Sequence, residues 1–272
     1  MYMLSVNLFI IAIDKPRFGT EICYRLIVRY NKLGGRMNKP RVLFNEDNFN
    51  SDSIADGRIV KNFLKKLTSE VYSISYKYYS AYQDMAIGGF EYPLLHKERN
   101  LYSIYATAIN KLSAVHLSEW GFNKNENEDL NKNRRVDFFT KYRRGITGKP
   151  TNFFIELKCG WYCLNRSASG NIQKRVQSKL SSLVSQLRTL RATNQKWDNH
   201  HDVNIGLMQI HGYYTKGKES FTCLDLASCI HDICDKRTVK NYLVSTVRFP
   251  DKMEFQWDKN RCRFISIFST VV

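Results

Sequence analysis

Apolar positions along the chain change their spacing several times, and each change marks an element. Val60, Phe63, Leu64, Leu67 and Val71 recur every three or four residues, so Ile59–Ser80 reads as a helix with one buried stripe. Leu94, Leu101, Tyr102, Tyr105, Ala108, Ile109 and Leu112 repeat that spacing and predict a second helix, set apart by Gly88, Gly89 and Pro93. Ala114–Trp120 has room for a strand, and a polar loop follows at Asn123–Asn133. Arg135–Phe139 and Asn152–Lys158 are β-like, and the turn-rich stretch Arg143–Pro150 between them predicts a hairpin. Val176, Leu180, Leu183, Val184, Leu187 and Leu190 place Ile172–Arg191 in a third helix, and Val203–Tyr213 reads as a buried strand. A helix at Leu224–Cys234 and a terminal hairpin, Met253–Trp257 with Cys262–Val271, complete the expected elements.

Through the middle the order is α-β-β-β-α-β. The fold class expected is therefore α/β, a mixed central sheet flanked by helices over residues 86–216. An N-terminal region (1–85) would precede this core, and an extension (217–272) would follow it. Within the first part, apolar runs at Val6–Ile13 and Ile22–Val28 lead to a polar stretch at Asn45–Asp56. Gly34-Gly35-Arg36 before Met37 is what a translated purine-rich ribosome-binding sequence would spell, so residues 1–36 are a candidate start-site artefact. No internal repeat is visible. The longest apolar run, Leu8–Ile13, is strand-sized, so no membrane-spanning helix is expected. No basic residue precedes that run and Asp14-Lys15-Pro16 follows it, unlike a secretory signal.

Charge narrows the picture. Forty-two Lys and Arg against 25 Asp and Glu give a formal charge of +17, which points to a polyanionic partner. The seven cysteines, at 23, 159, 163, 223, 229, 234 and 262, are odd in number and form no C-x-x-C pair. They read as reduced thiols of a cytoplasmic protein. Cys229, His231 and Cys234 are spaced for a helical surface with incidental thiols rather than for zinc, which uses closer Cys pairs. His116, His200, His201 and His211 show no ligand spacing, and Tyr76-Lys77-Tyr78-Tyr79 reads as packing more readily than as a base-stacking cluster.

One constellation carries chemistry. Asp137 and Glu156 are equidistant from the centre of the predicted turn, so an unbulged hairpin sets them opposite one another, roughly 5 Å apart. The same register pairs Phe139 with Phe154, and Lys158 follows Glu156 by two residues to the same side. Opposed carboxylates repel unless a cation lies between them, and Mg²⁺ takes one or two carboxylates while keeping waters for a substrate phosphate. From Asn131 to Trp197 these two are the only acidic residues, against fifteen Lys or Arg. A surface serving solubility alone would mix its signs.

The D…E-x-K arrangement, on a hairpin between two helices, resembles the PD-(D/E)XK nuclease superfamily and its restriction-endonuclease-like fold. The resemblance covers about Tyr92–Tyr214, and Val136 stands where the family name has proline. It implies an Mg²⁺ (or Mn²⁺) ion held by Asp137, Glu156 and the carbonyl of Leu157, lowering the pKa of a bound water. Lys158 would orient that water and steady charge on the scissile phosphate. The family often adds an acid from the first helix, for which Glu98 fits better than Glu119, and a Gln on the helix after the E-x-K strand. Gln173, Gln177 and Gln186 are available, with Gln177 nearest the basic edge. Arg134, Arg135, Lys141, Arg143, Arg144, Lys174 and Arg175, with Gln177, are the expected nucleic-acid contacts. The reading is a metal-dependent nuclease acting on DNA, with a homodimer an open option. A non-catalytic nucleic-acid-binding protein and an RNA endonuclease on the same fold are the alternatives.

Overall fold

In the computed structural model the described residues are 42–84, 94, 98–113, 115–122, 134–143, 148–164, 169–193, 201–215, 222–235, 239–248, 255–257 and 260–272. The apolar runs near the N-terminus, the candidate artefact at 1–36 and the loop 123–133 lie outside them. The chain forms β1 (Val42–Asn45), a 3-10 turn at Ser51–Ser53, α1 (Gly57–Asp84), α2 (Glu98–Leu112), β2 (Val115–Phe122), β3 (Arg134–Arg143) and β4 (Pro150–Cys163). Then come α3 (Ser169–Thr193), β5 (His201–Thr215), α4 (Cys223–Asp235), β6 (Tyr242–Arg248), β7 (Phe255–Trp257) and β8 (Asn260–Val271). The protein is α/β, and the middle of the chain runs α2-β2-β3-β4-α3-β5.

The described strands join one sheet in the order β1-β6-β8-β5-β4-β3-β2, with β7 beside β8. Among the described strand pairs only β4 and β5 run parallel; the others are antiparallel. A parallel pair needs a crossover, and α3 supplies it. α1 and α2 cover one face, burying Phe63, Leu67, Tyr105 and Ile109 against Phe153, Ile155 and Leu157 of β4. α3 and α4 cover the other, with Leu183, Leu187 and Leu226 against Phe154, Met208 and Ile210. Covered on both faces, β4 is buried continuously from Thr151 to Leu157 rather than alternating. Gly206 of β5 lies so close beneath α3 that a Cβ there would meet Leu187 Cδ1 at 2.8 Å.

Two strands escape the sequence pattern. β6 is buried from Tyr242 to Val247, yet Ser245 and Thr246 interrupt its apolar run. Both hydroxyls are satisfied across the ladder to β8: Thr246 Oγ1 meets Ser266 Oγ at 2.6 Å, and Ser245 Oγ donates to the Ile267 carbonyl at 3.3 Å. Internal partners make their burial tolerable. β1 is a four-residue edge strand alternating half-buried and exposed, too short to stand out. The C-terminal residues read as an extension thus carry β6 and β8, which continue the sheet beyond β5. α1 starts two residues before the predicted Ile59, where Asp56, at φ 54°, accepts the Ile59 and Val60 amides through its carbonyl. Among the described residues, no helix is long and apolar enough to cross a membrane.

Candidate active site

The hairpin register is the one the turn symmetry predicts. β3 pairs with β4 from Arg143↔Pro150 to Phe138↔Ile155, including Phe139↔Phe154. The ladder stops one pair short of Asp137 and Glu156. On the other side of β3, pairing with β2 skips Glu119 and Asp137, and Glu119 takes a positive φ of 49°. Where β3 leaves the ladder, the Asp137 side chain takes over the role of a backbone partner: Oδ2 accepts the Leu157 amide at 2.7 Å. Its Oδ1 accepts a hydrogen bond from the Tyr102 hydroxyl on α2. Both oxygens are therefore held, one by the sheet and one by the helix.

Glu156 is buried, with 4% of its surface exposed, and it hydrogen-bonds to Asp137. Burial raises its pKa to about 8, and the neighbouring Asp137 charge adds to the rise. Lys158 opposes this and Glu98 reinforces it. Glu98 opens α2, one helical turn before Tyr102, and the Lys158 ammonium donates to its Oε1 at 3.4 Å. α2 thus delivers two groups to the hairpin, Glu98 onto Lys158 and Tyr102 onto Asp137. Burial first, then Asp137, Glu98 and Glu156, drives the Tyr102 phenol far above its ordinary pKa, so it remains a donor. Among the described residues, no three His, Cys, Asp or Glu side chains close around one point as a preformed ion cage. The site is a carboxyl pair with a third carboxylate tied to a lysine.

Glu119, the rival acid, is exposed on β2 and pairs with Arg135 at 3.5 Å, away from Lys158. Arg134 and Arg135 precede Asp137 on β3, whereas Lys141 and Arg143 lie toward the turn, roughly 14 and 20 Å along the strand. Lys174 and Arg175 are exposed on α3, and Gln177 beside them is half-buried. Arg144 and the side chain of Gln173 lie outside the described residues. His231, from the weighed zinc cluster, bonds instead to the Tyr242 hydroxyl and to Asn48. Tyr79 is buried and Tyr78 exposed. The six described cysteines are free thiols.

Sequence reasoning missed two groups. Tyr102 is counted there as one apolar position of the α2 stripe, although a partly buried phenol calls for a partner. Lys179 of α3 donates to the Cys159 carbonyl on β4, one residue past Lys158. Comparison of the chain with family models, curated proteins and solved structures gives no match.

Proposed function

We propose that the protein is a metal-dependent nuclease of restriction-endonuclease-like fold, cutting phosphodiester bonds of nucleic acid, DNA foremost. The observation that carries this is the convergence of Asp137, Glu156, Glu98 and Lys158 from three elements onto one end of the β3–β4 hairpin. The order α2-β2-β3-β4-α3-β5, with an antiparallel β2-β3-β4 and a parallel β4–β5 pair, supports the fold assignment. The charge of +17 supports the substrate class, as does α3, which carries Lys174, Arg175, Lys179, Arg188 and Arg191 and no acid.

The donor set fits Mg²⁺ or Mn²⁺. Two apposed carboxyls, one kept protonated by burial and by the other's charge, are what a hard cation would relieve, and Mg²⁺ is ordinarily held by one or two carboxylates and substrate phosphate rather than by a cage. Bound there, the ion would neutralise phosphate charge and acidify water. The chain's residues have distinct parts. Asp137, fixed by Tyr102 and the Leu157 amide, presents an oriented carboxylate. Glu156, in its ionised form, would be the second ligand and the Leu157 carbonyl the third. Lys158, paired with Glu98, would offer a positive donor to the scissile phosphate and to the attacking water. The test is incubation of pure protein with plasmid, linear duplex, single-stranded DNA and RNA, with and without Mg²⁺. Cleavage that needs Mg²⁺ and vanishes in Glu156→Ala supports the reading. Cleavage that survives Glu156→Ala refutes the site, and binding without cleavage leaves a non-catalytic nucleic-acid-binding protein.

A further inference from the structure

Beyond Ile155 the β3–β4 ladder forms no further pair among the described residues, so the edge of β4 that faced β3 is open from Leu157 onward. The Leu157 amide turns to this edge, where Asp137 accepts it at 2.7 Å. A strand repeats its orientation every second residue, so the Leu157 and Cys159 carbonyls point to the same edge, roughly 7 Å apart. The first is the carbonyl assigned above to the metal. The second is taken by Lys179 of α3, whose ammonium donates to it. This lysine comes down on the sheet face that Glu156 and Lys158 share by strand alternation. Gly160, the next residue of that face, lies beneath its stem: a Cβ there would stand 3.9 Å from Lys179 Cδ and 3.0 Å from Met208 Cε, and the missing side chain leaves the crossing clear. Glu98, reaching the edge from α2, acts on the same Cys159 thiol as Lys179 does, so the two charges flank one residue of β4.

Closing the Cys159 carbonyl uses one of the three N–H donors of an ammonium. Among the described residues the other two have no acceptor, the side chain is exposed, and α3 carries no acid to neutralise it. A cation fixed in place before anything binds spends little entropy in binding. The spacing of the two carbonyls sets it about one nucleotide step from the metal position. Resting on the nuclease reading above, we propose that Lys179 binds the backbone phosphate next to the scissile one, a second anchor that draws the strand along the open edge of β4. Such a contact fixes register and reads no base, so it serves every sequence alike.

The experiment is equilibrium binding by anisotropy, in EDTA so that nothing is cut, of a labelled duplex and of labelled oligothymidylate at about 50 to 200 mM salt. The proteins are wild type, Lys179→Gln, Lys179→Arg and Lys66→Gln, the last an exposed lysine of α1 over the opposite sheet face. Each phosphate neutralised adds about 0.7–0.9 to the slope of log affinity against log salt, so Lys179→Gln should flatten the slope by that amount on the ligand that binds. Lys179→Arg and Lys66→Gln should keep the wild-type slope. An unchanged slope in Lys179→Gln, or equal flattening in Lys66→Gln, overturns the proposal and leaves Lys179 as a cap on the Cys159 carbonyl. Lysine acetylation of wild type, read by mass spectrometry, needs no variant to fold. Bound oligonucleotide should shield Lys179 and leave Lys66 reactive, and Lys179 labelling that the oligonucleotide does not change overturns the proposal. A cleavage arm with Mg²⁺ separates the two readings. A flattened slope in a protein that never cuts rejects the nuclease and keeps the phosphate contact, whereas Glu156-dependent cutting with an unflattened slope rejects the contact alone.

Discussion

The buried Glu156 carboxyl makes stability depend on pH with a sign that a solvated surface acid would not produce. Its pKa rises from 4.5 to about 8 on folding, because burial and the adjacent Asp137 charge both disfavour the anion. Below the ordinary value, folded and unfolded chains both hold the proton and nothing is lost. Between pH 4.5 and 8 the unfolded chain has released it while the native chain retains it, so stability falls by about 1.4 kcal/mol per pH unit. Above 8 both are ionised and the loss levels off, at on the order of 3–5 kcal/mol. Glu156→Gln keeps the shape, can still hydrogen-bond to Asp137 and has no proton to lose. Urea unfolding of both proteins in EDTA from pH 5 to 9 isolates the Asp137–Glu156 pair, since every titration away from it is shared. The variant should gain on wild type steadily to about pH 8 and then hold its lead. Adding Mn²⁺ should reverse the order at pH 8, because the ion stabilises only the chain that binds it. A stability difference flat across this range refutes the buried, charge-opposed carboxyl and the cation site built on it.

Lys158→Ala should leave Mn²⁺ binding intact while cleavage collapses, and Glu98→Gln should lower cleavage with partial recovery at high Mg²⁺. Glu119→Gln should do little, and a cleavage assay ranking Glu119 above Glu98 would show that α2 supplies the wrong acid. Tyr102→Phe removes the donor to Asp137 Oδ1, so turnover should fall about tenfold at a stability cost of no more than about 2 kcal/mol, read by single-turnover kinetics and by melting. Affinity for DNA, measured by anisotropy, should drop tenfold or more between about 50 and 200 mM salt, and a flat response would reject the polyanion reading. Gly206→Ala should cost about 1–3 kcal/mol in urea unfolding, since its methyl group would press on Leu187 and Leu183 of α3.

Much of this arrangement is legible in the chain because the residues concerned obey local periods. Asp137, Glu156 and the Phe139↔Phe154 pair follow from the two-residue period of strands around one turn, and Glu98 follows from the helical spacing of α2. What escaped is what only tertiary contact creates. Tyr102 looks like one more apolar position until β3 leaves its ladder at Asp137 and presents an oxygen to it. β6 looks polar until β8 supplies partners for Ser245 and Thr246. The Gln209–His211–Leu94 cluster joins residues more than 110 positions apart, beyond the reach of any window along the sequence.

The energetics of the hairpin end supply a further argument for activity. A buried carboxyl facing another, with one half-buried lysine to offset both, is a poor way to hold two strands together. An apolar pair of similar volume would serve stability better. The chain nonetheless keeps Asp137 and Glu156 together just past the end of the β3–β4 ladder, and fixes Asp137 with two donors that position it rather than bury it more cheaply. It keeps no other acid from Asn131 to Trp197. An electrostatic cost of this kind at the end of a ladder is what a site of chemistry carries, and it accords with the proposed nuclease. The Glu156→Gln titration measures that cost, and the cleavage assay tests the chemistry proposed to justify it.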